Sequence, residues 1–217
     1  MYKQAALLVL LVLLVVGALA IGPALVEIEL WTGEPPLGKP GVSQRGETSP
    51  MSHKISGVNV PKLIKLEDEQ RRLLGKYAPK NLSVLVIPGG GYDSISSVNE
   101  GTEVIEYLNS LGINAYMLLY RHNPYRHPVP LLDAFRGIRL LRKIEAEKLK
   151  GDVGSVGVLG FSAGGHLAAT VLTFADRDPS VYLKVAGAED AVEGGPSFLG
   201  DDLAGKYSCR PDFSILL

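Results

Sequence analysis

Residues 160 to 164 read Gly160-Phe161-Ser162-Ala163-Gly164, a serine with a glycine two positions away on either side. The apolar run SVGVLGF (155 to 161) leads into it and AGGHLAATVLTFA leads away with helical spacing. In that context G-x-S-x-G reads as a sharp strand-to-helix turn. Such a turn strains the serine backbone and lifts its hydroxyl clear of the sheet, and the flanking glycines let strand and helix approach without colliding Cβ atoms. The helix start also aims backbone amides and the positive end of its dipole at any developing oxyanion. The chemistry would be acyl transfer, with Ser162 as nucleophile and the Ala163 amide as one oxyanion donor. The competing reading is a small residue at a tight turn.

A second glycine cluster, Pro88-Gly89-Gly90-Gly91-Tyr92, comes directly off the run LSVLVI. Three consecutive glycines allow a chain to turn its amides inward, so Gly90 and Gly91 are the expected companions of Ala163 in an oxyanion hole. A phosphate-binding loop is the rival, but no Lys-Ser/Thr follows the glycines and no G-x-G-x-x-G opens a helix. Tyr92 and His127 are candidates to line the site.

An activated serine needs a base and an acid. His166 sits one helical turn after Ser162 and should point along the helix, against the glycine loop or a neighbouring helix. His122 and His127 follow a strand at the correct rim, where loop anchoring or a substrate edge suits them better than base chemistry. His53 precedes the expected domain and should be solvated. Asp133 and Arg136 fall near the start of a long helix, where capping or an ion pair is expected. Glu100 should cap or brace the loop, and Asp190, Asp201 and Asp202 should be solvated.

Strand and helix patterns alternate around these motifs. Apolar runs at 82–88, 113–121, 155–161 and 212–217 read as strands. Helices are expected at 103–112, with Val104, Tyr107, Leu108 and Leu111 on its apolar face, at 131–149 and from 163. The stripe Leu131, Phe135, Ile138, Leu141 and Ile144 marks the long one. Alternation of this kind implies an α/β fold: a mainly parallel sheet in a three-layer αβα sandwich, with the ligand at the carboxyl ends of the strands. Both glycine loops lie at that end. Pro61 favours an edge position for the extended segment near residues 55–67, the last strand should leave an exposed edge, and a short helix is expected near 181–191.

The 217 residues suit one domain, and 46% hydrophobic residues provide for a packed core. A net charge of −1 without charge blocks points away from nucleic acid. The single cysteine, Cys209, reads as a structural thiol. The first twenty residues, MYKQAALLVLLVLLVVGALA, have one basic residue, an apolar run and a small-x-small end, the layout of a secretory signal peptide. If uncut, residues 5–25 are long enough to anchor in a membrane. The expected organisation is therefore signal or anchor at 1–20, a Pro/Gly-rich linker at 21–54, and a domain at 55–217, with a secreted or periplasmic location.

The motifs IPGGGY, NEG (99 to 101), LLYRHNPYRHPVPLLDAFRGIRLLR, GVLGFSAGGHLAA and RPDFSILL resemble, in order, those of exported α/β-hydrolases related to acetylxylan esterases and other short-chain carbohydrate esterases. The resemblance runs from about Trp31 to the end. It implies ester hydrolysis by a Ser-His-Asp triad without metal or organic cofactor, on a small ester or an acetylated oligo- or polysaccharide. It also implies that the acid and histidine follow the serine on later loops, so both are expected beyond Leu217 and the 217-residue chain is expected to be weakly active or inactive by itself. Other readings of the same fold are a non-catalytic binding protein and a serine peptidase or lipase.

Overall fold

The computed structural model describes residues 23–38, 49–74, 81–148, 150–151, 154–175, 177, 181 and 202–217. Six strands, β1 (Leu25–Glu29), β2 (Lys62–Leu66), β3 (Leu82–Ile87), β4 (Asn114–Leu119), β5 (Ser155–Gly160) and β6 (Phe213–Leu216), form one sheet in the order β1-β2-β4-β3-β5-β6. The pairs β4–β3, β3–β5 and β5–β6 are parallel, whereas β1–β2 and β2–β4 are antiparallel. The helices are α1 (Asp68–Leu74), α2 (Glu103–Ser110), α3 (Val129–Lys148) and α4 (Ala163–Phe174), and a π-helical turn (Val98–Thr102) leads into α2.

Central strands are covered on both faces, which explains why β3 and β4 are nearly continuous apolar runs. Neighbouring residues of β4 point to opposite faces: Leu118 packs beneath Gly137 of α3, while Met117 packs beneath Gly101 of the π turn. The expected stripe of α3 holds, with Leu131, Phe135, Ile138 and Leu141 buried and Ile144 partly so. At the far edge, β6 leaves Ile215, Leu216 and Leu217 exposed.

Several boundaries differ from those read in the sequence. The segment expected as linker contains β1, whose LVEIE pairs in register with β2 from Leu25 opposite Leu66 to Glu29 opposite Lys62. Leu30 and Trp31, just after it, are buried in the core, so ordered structure begins well before residue 55. β2 is interior rather than an edge; Pro61 sits outside it and contributes only a carbonyl, to the Leu30 amide at 3.0 Å. On α2 the buried residues are Ile105 and Asn109, and Tyr107 is exposed. Asn109 can occupy the buried face because its amide donates to the Ile105 carbonyl at 2.6 Å and its oxygen accepts from Arg71 Nε of α1 at 2.9 Å. The signal segment and most of the expected helix at 181–191 lie outside the described residues, among which no helix is long and apolar enough to cross a membrane.

Candidate active site

β5 ends at Gly160 and α4 begins at Ala163, so Ser162 stands at the turn. Its φ is +50° and its ψ −117°, a conformation that costs a residue with a Cβ on the order of 1–3 kcal/mol and persists only where surroundings over-determine it. Here the backbone does so. The Ser162 amide donates to the Leu217 carbonyl at 2.8 Å, its carbonyl accepts from the His166 amide at 3.0 Å, and the Phe161 amide donates to the Ile87 carbonyl at 3.0 Å. A Cβ on Gly160 would run into the Gly164 carbonyl and one on Gly164 into the Ile87 carbonyl. Only glycines let α4 start this close to β5 and β3.

A serine just ahead of a helix ordinarily folds its hydroxyl onto the first amides. Ser162 makes no such bond, and its side chain is exposed. Its oxygen is thus displayed at the carboxyl edge of the sheet instead of serving the helix.

The glycine loop lies directly beside it. A Cβ on Gly89 would sit 2.7 Å from the Phe161 carbonyl oxygen and 2.9 Å from Ser162 Cβ. Gly90, Gly91 and Tyr92 all have positive φ, at 132°, 66° and 59°, which turns the loop back on itself. Two of its glycine carbonyls are occupied: Gly89 accepts from the Ser96 amide at 3.0 Å, and Gly90 from the Asp93 and Ser94 amides, each at 3.1 Å. The amides of Gly90, Gly91 and Ala163 have no hydrogen-bond acceptor among the described residues. Two motifs seventy residues apart therefore meet, with donors free on both.

The Tyr92 hydroxyl meets His166 Nδ1 at 2.9 Å, so His166 is engaged with the glycine loop. Burial pushes the Tyr92 phenol up to about 12, which keeps it protonated and able to donate. His127 is exposed on the loop after β4, with its ring centroid 6.5 Å from that of Phe174 on α4. Its pKa lies below the usual imidazole value because neighbouring atoms partly desolvate the ring and, secondarily, because of the nearby His166. His53 is exposed. No hydrogen bond joins the Ser162 hydroxyl to an imidazole or carboxylate among the described residues, and those residues hold no cluster of metal-ligating side chains.

Asp133 does not cap α3, which begins a turn earlier at Val129. It is fully buried and accepts from Arg121 Nε at 2.9 Å and Nη2 at 2.6 Å, from the Arg121 amide at 3.0 Å, and from Trp31 Nε1 at 3.3 Å. Arg121 Nη1 donates to the Pro36 carbonyl at 2.7 Å. Arg136 lies 5.1 Å over the Trp31 ring and pairs at 2.7 Å with Asp202, which is solvated as expected but also serves as the counter-ion of this buried guanidinium. These contacts strap residues 30–36 across the base of the loop after β4. Asp190 and Asp201 lie outside the described residues, and Cys209 is buried.

His122 is fully buried and neither ring nitrogen has a hydrogen-bond partner among the described residues. Desolvation lowers its pKa, opposed by Asp93. Between the folded-state value and about 6.5, the ordinary value kept by the unfolded chain, the unfolded state therefore binds more protons and stability falls as pH falls. His122→Leu, close in volume, removes that proton uptake. Thermal unfolding at pH 6.5 and pH 5 should show a smaller drop for the variant; equal drops would refute the assignment.

The geometry can be set beside known proteins. Residues 84–202, which include both glycine motifs, match the family model for the alpha/beta hydrolase fold. The chain belongs to this family. Within the alpha/beta hydrolases it is similar to an acetylxylan esterase of Xylanibacter ruminicola, with 32% identity over 113 residues, covering 51% of this chain and 23% of the relative. Among solved structures it is similar to an acetyl ester-xyloside bifunctional hydrolase from Caldicellulosiruptor lactoaceticus, at 33% identity and a TM-score of 0.54, covering 91% of this chain and 58% of the other. The chain thus spans less than two thirds of the length of either.

Proposed function

We propose that this alpha/beta hydrolase is a serine carboxylesterase that removes acetyl groups from a carbohydrate such as acetylated xylan. The observation that carries the reading is Ser162: a strained residue with φ of +50°, at a helix start it does not cap, with its side chain exposed beside a glycine loop. Ser162 Oγ attacks the ester carbonyl while its proton passes to a base. The oxyanion is received by the amides of Ala163, Gly90 and Gly91, the alcohol departs with a proton, and water hydrolyses the acyl-enzyme. None of the described imidazoles is hydrogen-bonded to Ser162 to serve as that base. The two relatives, an acetylxylan esterase and an acetyl ester-xyloside hydrolase by name, support the acetyl carbohydrate as substrate, and the reading calls for no metal or organic cofactor.

The test is acetate release from acetylated xylo-oligosaccharides, alongside hydrolysis of p-nitrophenyl acetate, by the protein expressed from its complete reading frame. Both substrates should be cleaved. Cleavage of the nitrophenyl ester alone would overturn the carbohydrate assignment, and cleavage of neither would overturn the esterase assignment.

A further inference from the structure

One peptide group of the glycine loop is held from both sides. The carbonyl of Pro88 accepts the Tyr120 hydroxyl at 2.9 Å. The amide of Gly89, at the other end of the same planar group, donates to Glu100 Oε2 at 2.7 Å. Tyr120 is fully buried just after β4. Glu100 belongs to the π turn, where Val98, Gly101 and Thr102 are buried. Two separately anchored elements therefore set the rotation of a single plane.

That plane needs an external brace, because Gly89 has no side chain to restrict its dihedrals and a Cβ there would collide with Phe161 and Ser162. A rotated plane would misdirect the chain into Gly90 and Gly91. The identity of the brace is informative. Glu100 Oε2 and Ser162 Cβ each lie 2.9 Å from the position a Gly89 Cβ would take, so a carboxylate and the nucleophile's Cβ flank the same glycine. Coulomb repulsion from a carboxylate in that neighbourhood opposes an oxyanion formed beside Ser162. A carboxylate so placed helps the reaction only through what it holds, and it holds the Gly89 amide.

We propose that Glu100 and Tyr120 are positioning residues that lock the Pro88–Gly89 peptide group and thereby aim the Gly90 and Gly91 amides at the oxyanion. The inference rests on the esterase reading above. Neither side chain touches substrate; each acts through the backbone it grips. The clamp therefore acts on the transition state and leaves ground-state binding alone, which sets its kinetic signature.

The experiment compares Glu100→Ala, Glu100→Gln and Tyr120→Phe in the protein from its complete reading frame, with p-nitrophenyl acetate as substrate and far-UV circular dichroism as the check on folding. Glu100→Ala should lower kcat roughly 10²-fold, the scale of losing one oxyanion donor, with KM within about threefold. Glu100→Gln keeps an acceptor oxygen and discards the charge, so it should restore at least about a third of wild-type kcat or exceed it. Tyr120→Phe removes the other grip and should lower kcat by roughly tenfold at similar KM. Wild-type kcat in Glu100→Ala, or a Gln variant as impaired as Ala, overturns the proposal. Should the Ala variant fail to fold, the Gln and Phe variants decide it in the same terms. Activity surviving Ser162→Ala would instead sink the esterase reading, whatever the Glu100 variants do.

Discussion

Ser162→Ala should lower kcat for p-nitrophenyl acetate roughly 10⁴-fold or more, with KM little changed. The alanine leaves the oxyanion amides and the elbow intact and removes only the attacking oxygen, so the loss falls on the chemical step. Ser162→Gly separates strain from chemistry. Both variants lack the nucleophile, but glycine accepts φ of +50° without the steric cost that alanine keeps. Ser162→Gly should therefore melt about 2–4 °C above Ser162→Ala, corresponding to about 1 kcal/mol for a domain of this size. Kinetics on both variants with thermal unfolding monitored in parallel makes the check. If Ser162→Ala retains more than a tenth of wild-type kcat, Ser162 is not the nucleophile. Equal melting temperatures would mean that the elbow is not strained.

The parts of this outcome that could be read in advance share a physical reason. β3, β4 and β5 are short apolar runs bounded by glycine or proline, and a strand buried on both faces has little other way to be written. Their parallel order brings PGGGY and GFSAG to one edge, so adjacency of the two motifs followed from topology. β1 was hidden because LVEIE is a short alternation beside a Pro/Gly-rich tract, and its stability comes from pairing with β2, forty residues away. The face of α2 is legible only in part for a related reason: Val104 and Leu108 pack against the core as expected, but Tyr107 is exposed and Asn109 takes a buried position. Asn109 looks solvent-facing by type, and its burial depends on Arg71, which a local window cannot supply. In the site, Ser162 and the glycines are backbone devices with local signatures. The bond from Gly89 to Glu100 and the burial of Asp133 by Trp31 and Arg121 are tertiary pairings, visible only once the loops are folded together.

Asp133→Ala should destabilise the protein by about 3–5 kcal/mol, because it leaves the Arg121 guanidinium buried without its counter-ion. Both side chains are fully buried and joined at 2.6 Å, so water cannot replace the lost carboxylate without opening the strap of residues 30–36. At about 2–4 °C per kcal/mol the midpoint should fall by roughly 10 °C. Asp133→Asn, retaining one acceptor oxygen but no charge, should fall between. The double variant Arg121→Met/Asp133→Leu removes both charges and should recover much of the single-variant loss, since an apolar pair in a buried site costs far less than an orphaned ion. Trp31 offers a local reading of the same event. It is the sole tryptophan, it donates to Asp133 at 3.3 Å and it lies under Arg136 at 5.1 Å. Asp133→Ala should therefore shift its emission to the red before global unfolding, by releasing the strap. A single variant that melts with the wild type, with unshifted emission, would show that the pair bears no load; a double variant no better than the single would show that the loss comes from packing and not from a stranded charge.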